Sequence, residues 1–337
     1  ISAILFLALI PVLASGQSKD WGRVSASLES THHMYVADQP NGFDPSNLMQ
    51  LSEDGIYATN NYLKVDYYKG RLSAGTQLEG YFPSTVGYPF PTNKLSLSNL
   101  YVSWRDDSYS VTAGTFYEQL GSGLLFRSWE DRALGLNNAV MGARFTYNYK
   151  DILAFKAIWG LPRFGMGIFT NNTDKPATPT NTQTQIRGAD ISFAISNLVG
   201  WDNTYLAVEA SALNRYEPAS ADLIEEGGKS STFGWSGRAN FESDGFFAKA
   251  EWVNGGDKYY VNPYPTNDEW YLKKKANAQL VELGYNGRGL GVTLTARRLE
   301  WMKTDIITGS NSTSNMMNYI PAMCTQYTYM LTTHHPY

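Results

Sequence analysis

A period of two, sustained along most of the chain, limits what it can fold into more than any other feature. In "RLSAGTQLE", Leu72, Ala74 and Leu78 alternate with Arg71, Ser73, Gln77 and Glu79. In "GLGVTLTAR", Leu290, Val292, Leu294 and Ala296 alternate with Thr293, Thr295 and Arg297. Phe233, Trp235, Ala239 and Phe241 alternate in the same way with Ser236, Arg238 and Asn240. Successive side chains of a strand point to opposite faces, so each segment has one apolar and one polar face. Such segments predict about fourteen strands of roughly ten to thirteen residues. They begin near residues 20, 55, 71, 95, 108, 138, 151, 184, 203, 231, 245, 275, 289 and 324.

The connections alternate too. Turn-forming residues at Lys69-Gly70, Asp106-Asp107, Lys150-Asp151, Asp244-Gly245 and Asn286–Gly289, with a longer turn at Leu198–Asp202, suit tight hairpins. Between them lie long polar connections near 36–54, 83–94, 119–137, 162–183, 215–230, 256–274 and 302–323. About twelve residues at ~3.3 Å each, tilted by ~40°, cover about 30 Å of bilayer normal. Strands of soluble sandwiches are about half as long. The expectation is an all-β, transmembrane, antiparallel up-and-down β-barrel in an outer membrane, with a periplasmic N-terminus and more strands if the chain continues past Tyr337.

The ends and the composition agree with export. "ISAILFLALIPVLASGQ" is an apolar run followed by small residues, read as the end of a signal peptide over 1–16, with the barrel over 17–337. Aromatics make up 14% of the chain, and Trp21, Tyr67, Tyr68, Tyr81, Trp104, Tyr147, Tyr149, Trp159, Trp252, Tyr285 and Trp301 fall near strand ends, where interfacial girdles need them. The single cysteine, Cys324, rules out an internal disulfide. A net charge of −4 argues against nucleic acid as a partner. Outer-membrane lipid is the expected partner, with small solutes or another outer-membrane protein beside it.

If the apolar rows face lipid, the alternate rows face a lumen. The wall residues expected there are Arg71, Glu79, Arg144, Asp190, Glu209, Arg238, Glu251 and Arg297, joined by Arg23, Glu29, Lys156 and Lys249. The two signs are nearly equal, whereas a pore selective for one sign would show a dominant ring. One long connection breaks the rhythm: "YEQLGSGLLFRSWEDRALGLNNAVMGARF", starting at Tyr117, holds Leu120, Leu124, Leu125, Phe126, Trp129 and Leu134 among charges. It is expected to fold inward as a constriction, with Glu118, Arg127, Glu130, Asp131 and Arg132 pairing with wall charges. Gly121 and Gly123 would permit the turn. The alternative is a short external helix over Ser128–Leu136.

The same stretch resembles the signature of an uncharacterised family of outer-membrane proteins from Bacteroidetes-type bacteria. The similarity rests on Gly114, Phe116, Tyr117, Glu118, Gln119, Gly121, Ser122, Gly123, Arg127, Trp129, Glu130, Asp131, Arg132, Asn138 and Ala139, and on the ending "YIPAMCTQYTYMLTTHHPY". The resemblance implies a porin-like barrel and no particular substrate.

Catalytic signatures are absent: there is no C-x-x-C, H-E-x-x-H, G-x-S-x-G or phosphate loop. The histidines come as His32-His33 and His334-His335, and neighbours on a strand point to opposite faces, so neither pair chelates alone. "DPSN" at Asp44 and "NGGD" at Asn254 are read as turns rather than calcium loops. No enzyme, cofactor or metal is expected. Two functions stand: a passive channel or solute transporter, or a structural or assembly subunit with a plugged lumen. An adhesin or surface receptor is a third, resting only on the long polar loops.

Overall fold

A computed structural model describes residues 21–36, 57–86, 93–132, 135–163, 184–218, 224–225, 227–262, 270–306 and 316–320, and the backbone of 169–170 and 178–179. The expected signal peptide, the "DPSN" segment, the fourteenth strand near 324 and His334-His335 lie outside the described residues.

In chain order the strands are β1 (Arg23–Met34), β2 (Tyr57–Lys69), β3 (Leu72–Tyr81), β4 (Leu95–Arg105) and β5 (Tyr109–Phe116). Four two-residue strands follow: β6 (Gln119–Leu120), β7 (Phe126–Arg127), β8 (Glu130–Asp131) and β9 (Leu136–Asn137). Then come β10 (Val140–Tyr149), β11 (Leu153–Pro162), the short pair β12 (Phe169–Thr170) and β13 (Thr178–Pro179), and β14 (Gln185–Ala194). A five-residue helix, α1 (Ile195–Val199), leads to β15 (Thr204–Tyr216), β16 (Ser231–Ser243), β17 (Phe246–Val261), β18 (Tyr271–Gly287) and β19 (Leu290–Glu300). Among the described residues no helix is long and apolar enough to cross a membrane.

Thirteen long strands form one sheet in the order β1-β2-β3-β4-β5-β10-β11-β14-β15-β16-β17-β18-β19. Apart from the inserted short pairs this is sequence order, and every pairing is antiparallel. The thirteen begin close to the expected positions; the largest difference is residue 275 against Tyr271. Local hydrogen-bonded turns explain the agreement. Lys150 and Asp151 both have positive φ, as do Asp244-Gly245 and Arg288-Gly289, which is the backbone of the tight hairpin turns whose twist matches that of the strands. The described strands do not close on themselves, and β1 and β19 are the edges.

The face assignment is settled by exposure. Leu100, Val102 and Trp104 of β4, Val111 of β5, and Trp235 and Phe241 of β16 are all exposed. The rows between them carry Ser110, Thr112, Ser211, Ser236 and Glu251, which are buried. A soluble sheet places these rows the other way round, so lipid covers the outer row, and the strands are the wall of a transmembrane barrel.

Two expectations change. Residues 256–261 and 271–274, expected as loop, extend the β17–β18 hairpin, and "NGGD" is not a turn but a bulge between Asn254 and Gly256. Asn254 Oδ1 accepts a hydrogen bond from Gly256 N at 2.9 Å, and Asp257 pairs with Lys273 at 3.0 Å across the strands. The bulge absorbs one residue and the opposite charges keep the hairpin zipped beyond it. The alternative of a helix at Ser128–Leu136 is replaced by the β8–β9 pair.

Across β5, β10 and β11 three glycines stand in one row, Gly114 opposite Gly142 and Gly142 opposite Gly160. A Cβ on Gly142 would lie 2.0 Å from Trp159 O, so backbones meet there at a distance that no other residue allows.

Candidate functional site

The chain leaves the wall at Phe116 and returns at Val140, and the residues between them cross the concave face. Two short hairpins order them: β6 pairs with β7, and β8 with β9. Leu120, Leu124, Leu125 and Phe126 are buried, as expected of an inward fold. They form one core with Val140, Ile158, Ile186, Leu213 and Leu299, near the long-connection ends of their strands, and with Val253 in the middle of β17. Leu134 lies outside the described residues.

A second segment completes this core. Met302, Ile306, Met317 and Ile320 are buried in it, although 302–323 reads in sequence as an exterior polar connection. Arg127 N donates to Met317 O at 2.8 Å and Tyr319 N to Gly123 O at 2.9 Å. Asn318 Nδ2 donates to Leu124 O at 2.9 Å and to Met302 O at 2.7 Å, while its Oδ1 accepts from Thr304 N at 3.0 Å. Asn138 does similar work between Trp129 N and Met316 O, at 2.6 Å each. Two asparagines therefore satisfy loop backbone that would otherwise be buried without partners.

The loop charges meet the wall at widely separated strands. Glu118 accepts from Lys156 Nζ of β11 at 2.7 Å and from Arg144 Nη1 of β10 at 3.5 Å. Arg132 pairs with Glu29 of β1 and donates to Gln77 Oε1 of β3 at 3.1 Å. Gln77 Nε2 in turn donates to Glu130 at 2.8 Å. Asp131 lies in the β8–β9 ladder opposite Leu136. Arg127 departs from the expectation of a wall ion pair: its guanidinium stacks 3.8 Å from the Trp129 ring centre and 5.0 Å from that of Tyr319. A cation is attracted to the faces of two aromatic rings, which here replace a carboxylate. Gly121, at φ +59°, sits where a Cβ would be 2.5 Å from Arg238 Nη1 and 2.6 Å from Glu251 Oε1. Gly123, at φ +90°, allows the turn that brings the loop under Tyr319.

The wall residues are held in different ways along the sheet. Glu79 is only 1% exposed and is held by Arg163, with Nη1 to Oε1 at 3.0 Å and Nη2 to Oε2 at 2.7 Å. Asp190, Glu209 and Arg238 form a cluster: Arg238 Nη2 reaches Asp190 at 2.6 Å and Nε reaches Glu209 at 2.6 Å. Glu251 is buried beneath the loop, where its Oε2 accepts from Ser122 N at 3.3 Å. At the turn end, Arg71 pairs with Asp106 at 2.5 Å, tying two hairpins together. Arg297 lies on the edge strand β19, opposite Leu280.

Arg163, Arg215, Lys303 and Asp305 were not anticipated. Arg163 follows a strand-ending Leu-Pro, and nothing local marks it as buried. Asp305 pairs with Lys303 at 3.3 Å near Arg215, which holds Ile306 O at 2.9 Å. Below the core, toward the tight turns, the interior opens. One cavity of about 620 Å³ is bounded by Lys249, Glu242 and Glu282, and another of about 440 Å³ by Arg105, Arg144 and Lys156. Among the described residues no group of three or more His, Cys, Asp or Glu could hold a metal ion.

Comparison with curated proteins returns no match. Similar solved structures include OprB of Pseudomonas putida, at 11% identity and TM-score 0.41, covering 83% of this chain and 76% of that one. A BenF-like porin from Pseudomonas fluorescens Pf-5 shares 12% identity at TM-score 0.37, covering 81% of each chain. The outer membrane channel DcaP of Acinetobacter baumannii shares 15% at TM-score 0.34, covering 84% and 81%. Likenesses this distant say nothing of solute or mechanism. The sequence profile of a family of unknown function, DUF6029, matches residues 1–337, and the chain belongs to that family.

Proposed function

We propose that the protein is a porin-like passive channel or solute transporter of the outer membrane, with its N-terminus on the periplasmic side. The observation that carries this reading is the inward row itself. It presents charged and hydroxyl side chains to water-sized space at the turn end, where the 620 and 440 Å³ cavities lie, while lipid-compatible residues occupy the outer row. In this reading Glu118, Glu130 and Arg132 fix the constricting loop to the wall, Asp131 belongs to the β8–β9 ladder that shapes it, Arg127 locks it to the Tyr319 segment, and Gly121 and Gly123 let it turn. No catalysis and no cofactor enters, and the partners are membrane lipid and small solutes. Purified protein in planar bilayers should give steady ohmic conductance. Deleting Gly121–Leu136 should raise it several-fold, and unchanged conductance would exclude the loop as a constriction.

A second reading, a structural or assembly subunit with a plugged interior that binds another outer-membrane protein, is favoured by the apolar core filling the long-connection end. Electrical silence of both the intact and the loop-deleted protein would select it.

A further inference from the structure

Higher in the wall, inward charges hold partners: Glu79 has Arg163, Glu118 has Lys156, and Arg238 has Asp190 and Glu209. Around the turn-end cavity of about 620 Å³ they do not. Glu242 of β16, Lys249 of β17 and Glu282 of β18 line it, and their charged ends make no hydrogen bond or ion pair among the described residues. This is so although Lys249 stands directly opposite Glu282 in the ladder. Aromatic rings separate these groups. Tyr205, Glu242, Phe247 and Gly284 follow one another across β15, β16, β17 and β18 in a single row, so a carboxylate has a ring on each side. The Phe247 ring lies against the bare backbone of Gly284, where a Cβ would be 2.3 Å from its Cζ, and this fixes its pose. In the next row stand Asn240, Lys249 and Glu282, with Lys249 Nζ 5.9 Å from the Phe247 ring centre. Trp201, in the β14–β15 turn, borders the same space.

The chemistry of the lining narrows what fits. Counted whole, with Asp202 and Asp244 of the turns included, it has four carboxylates and one ammonium, so an anion is repelled. The acids do not converge as metal ligands among the described residues. An organic cation would satisfy the carboxylates and leave Lys249 facing a like charge. A hydroxyl both donates and accepts, so a polyhydroxylated molecule donates to Glu242 and Glu282 and accepts from Lys249, in charge-assisted hydrogen bonds. Its C–H faces then lie on the rings of Tyr205 and Phe247. The volume is within the range that takes small organic ligands. We propose that the turn-end cavity between β15 and β18 is a binding site for small neutral saccharides. The proposal deepens the channel reading and rests on it, by naming the class of solute that the channel favours.

The test records ionic current in planar bilayers for the intact chain, for Glu242→Ala and for Tyr205→Ala/Glu242→Ala. Maltose, an ethylene glycol oligomer of matching mass, and spermidine are added separately on the turn side. Maltose should reduce the current of the intact protein in a saturating manner, and the oligomer should not. The single variant should weaken that block several-fold, and the double variant tenfold or more. A current that ignores maltose, a block equal in all three proteins, a block matched by the oligomer, or a block by spermidine alone overturns the site and leaves the channel standing. Silence in bilayers overturns the channel, and the site is then decided by calorimetric titration of maltose into protein held in a detergent without a sugar headgroup. Binding weakened in the variants supports it; no binding, or binding equal in all three, overturns it. Glu242 and Tyr205 are both exposed, so the variants should keep the heat-modifiable gel migration of a folded barrel, which guards against loss by misfolding.

Discussion

Removing one partner of the Glu79–Arg163 pair should be the most damaging single change to the inward-facing polar residues. Glu79 lies on β3 and Arg163 directly follows β11, with β4, β5 and β10 between them. Four strand spacings of ~4.8 Å make an arc of about 19 Å along the sheet, which one glutamate and one arginine together span only if the wall is curled. Both side chains are almost wholly buried, at 3% for Arg163 and 1% for Glu79, and the contact is a two-pronged fork at 3.0 and 2.7 Å. Water cannot take over for the charge left behind. Glu79→Gln or Arg163→Met alone should therefore cost about 3–5 kcal/mol, because an uncompensated buried charge or donor remains. Replacing both, Glu79→Leu with Arg163→Met, should cost much less than the two single changes added together. Urea unfolding in lipid vesicles, read by the loss of heat-modifiable gel migration, measures all four proteins. Single variants within about 1 kcal/mol of the intact protein, adding without coupling, would refute the view that this pair holds the curl.

Three further outcomes follow from the same geometry. Val111→Lys, on the exposed outer row of β5, should cost about 2–4 kcal/mol of insertion and lower the folded fraction in vesicles, whereas Asn148→Lys on the inward row should insert normally. Phe126→Ala, at a residue 1% exposed, should loosen the loop by about 3–5 kcal/mol and speed proteolytic cleavage within 117–139, with the wall intact. Burial pushes the Asp305 carboxyl up to about 7, against the pull of Lys303, Arg215 and Lys258. The folded state then holds that proton more tightly than the unfolded chain, so docking of 302–306 is strongest below about pH 4 and weakens as pH rises through 7. Hydrogen exchange of Thr304 against pH should show this slope, and Asp305→Asn should flatten it.

Most of the wall was legible because its signals are local. Alternation, hairpin residues and strand length act within a dozen positions, and Lys150-Asp151 or Arg288-Gly289 declare their turns without help from elsewhere. The burial of Leu120, Leu124, Leu125 and Phe126 was legible for a similar reason, since these side chains have no use in solvent. What escaped depends on residues far apart in the chain. Asn318 reaches Leu124 across 194 positions and Asn138 reaches Met316 across 178, and neither asparagine differs in sequence from those of an exterior loop. Arg127 misled for a physical reason: a charged side chain among acids suggests an ion pair, while Trp129 and Tyr319 offered it two ring faces instead. The β17–β18 extension escaped because Asn254–Asp257 has the composition of a turn and becomes a bulge only once its partner strand is present.

The row of Gly114, Gly142 and Gly160 bears on where the loop goes. A strip of wall three strands wide carries no side chains on its inner surface, so bare backbone lines the space there. β5 ends two residues beyond Gly114, so the loop departs beside a part of the wall where no inward side chain stands in its way. The wall leaves the room, and the loop's own glycines and charges decide how that room is used.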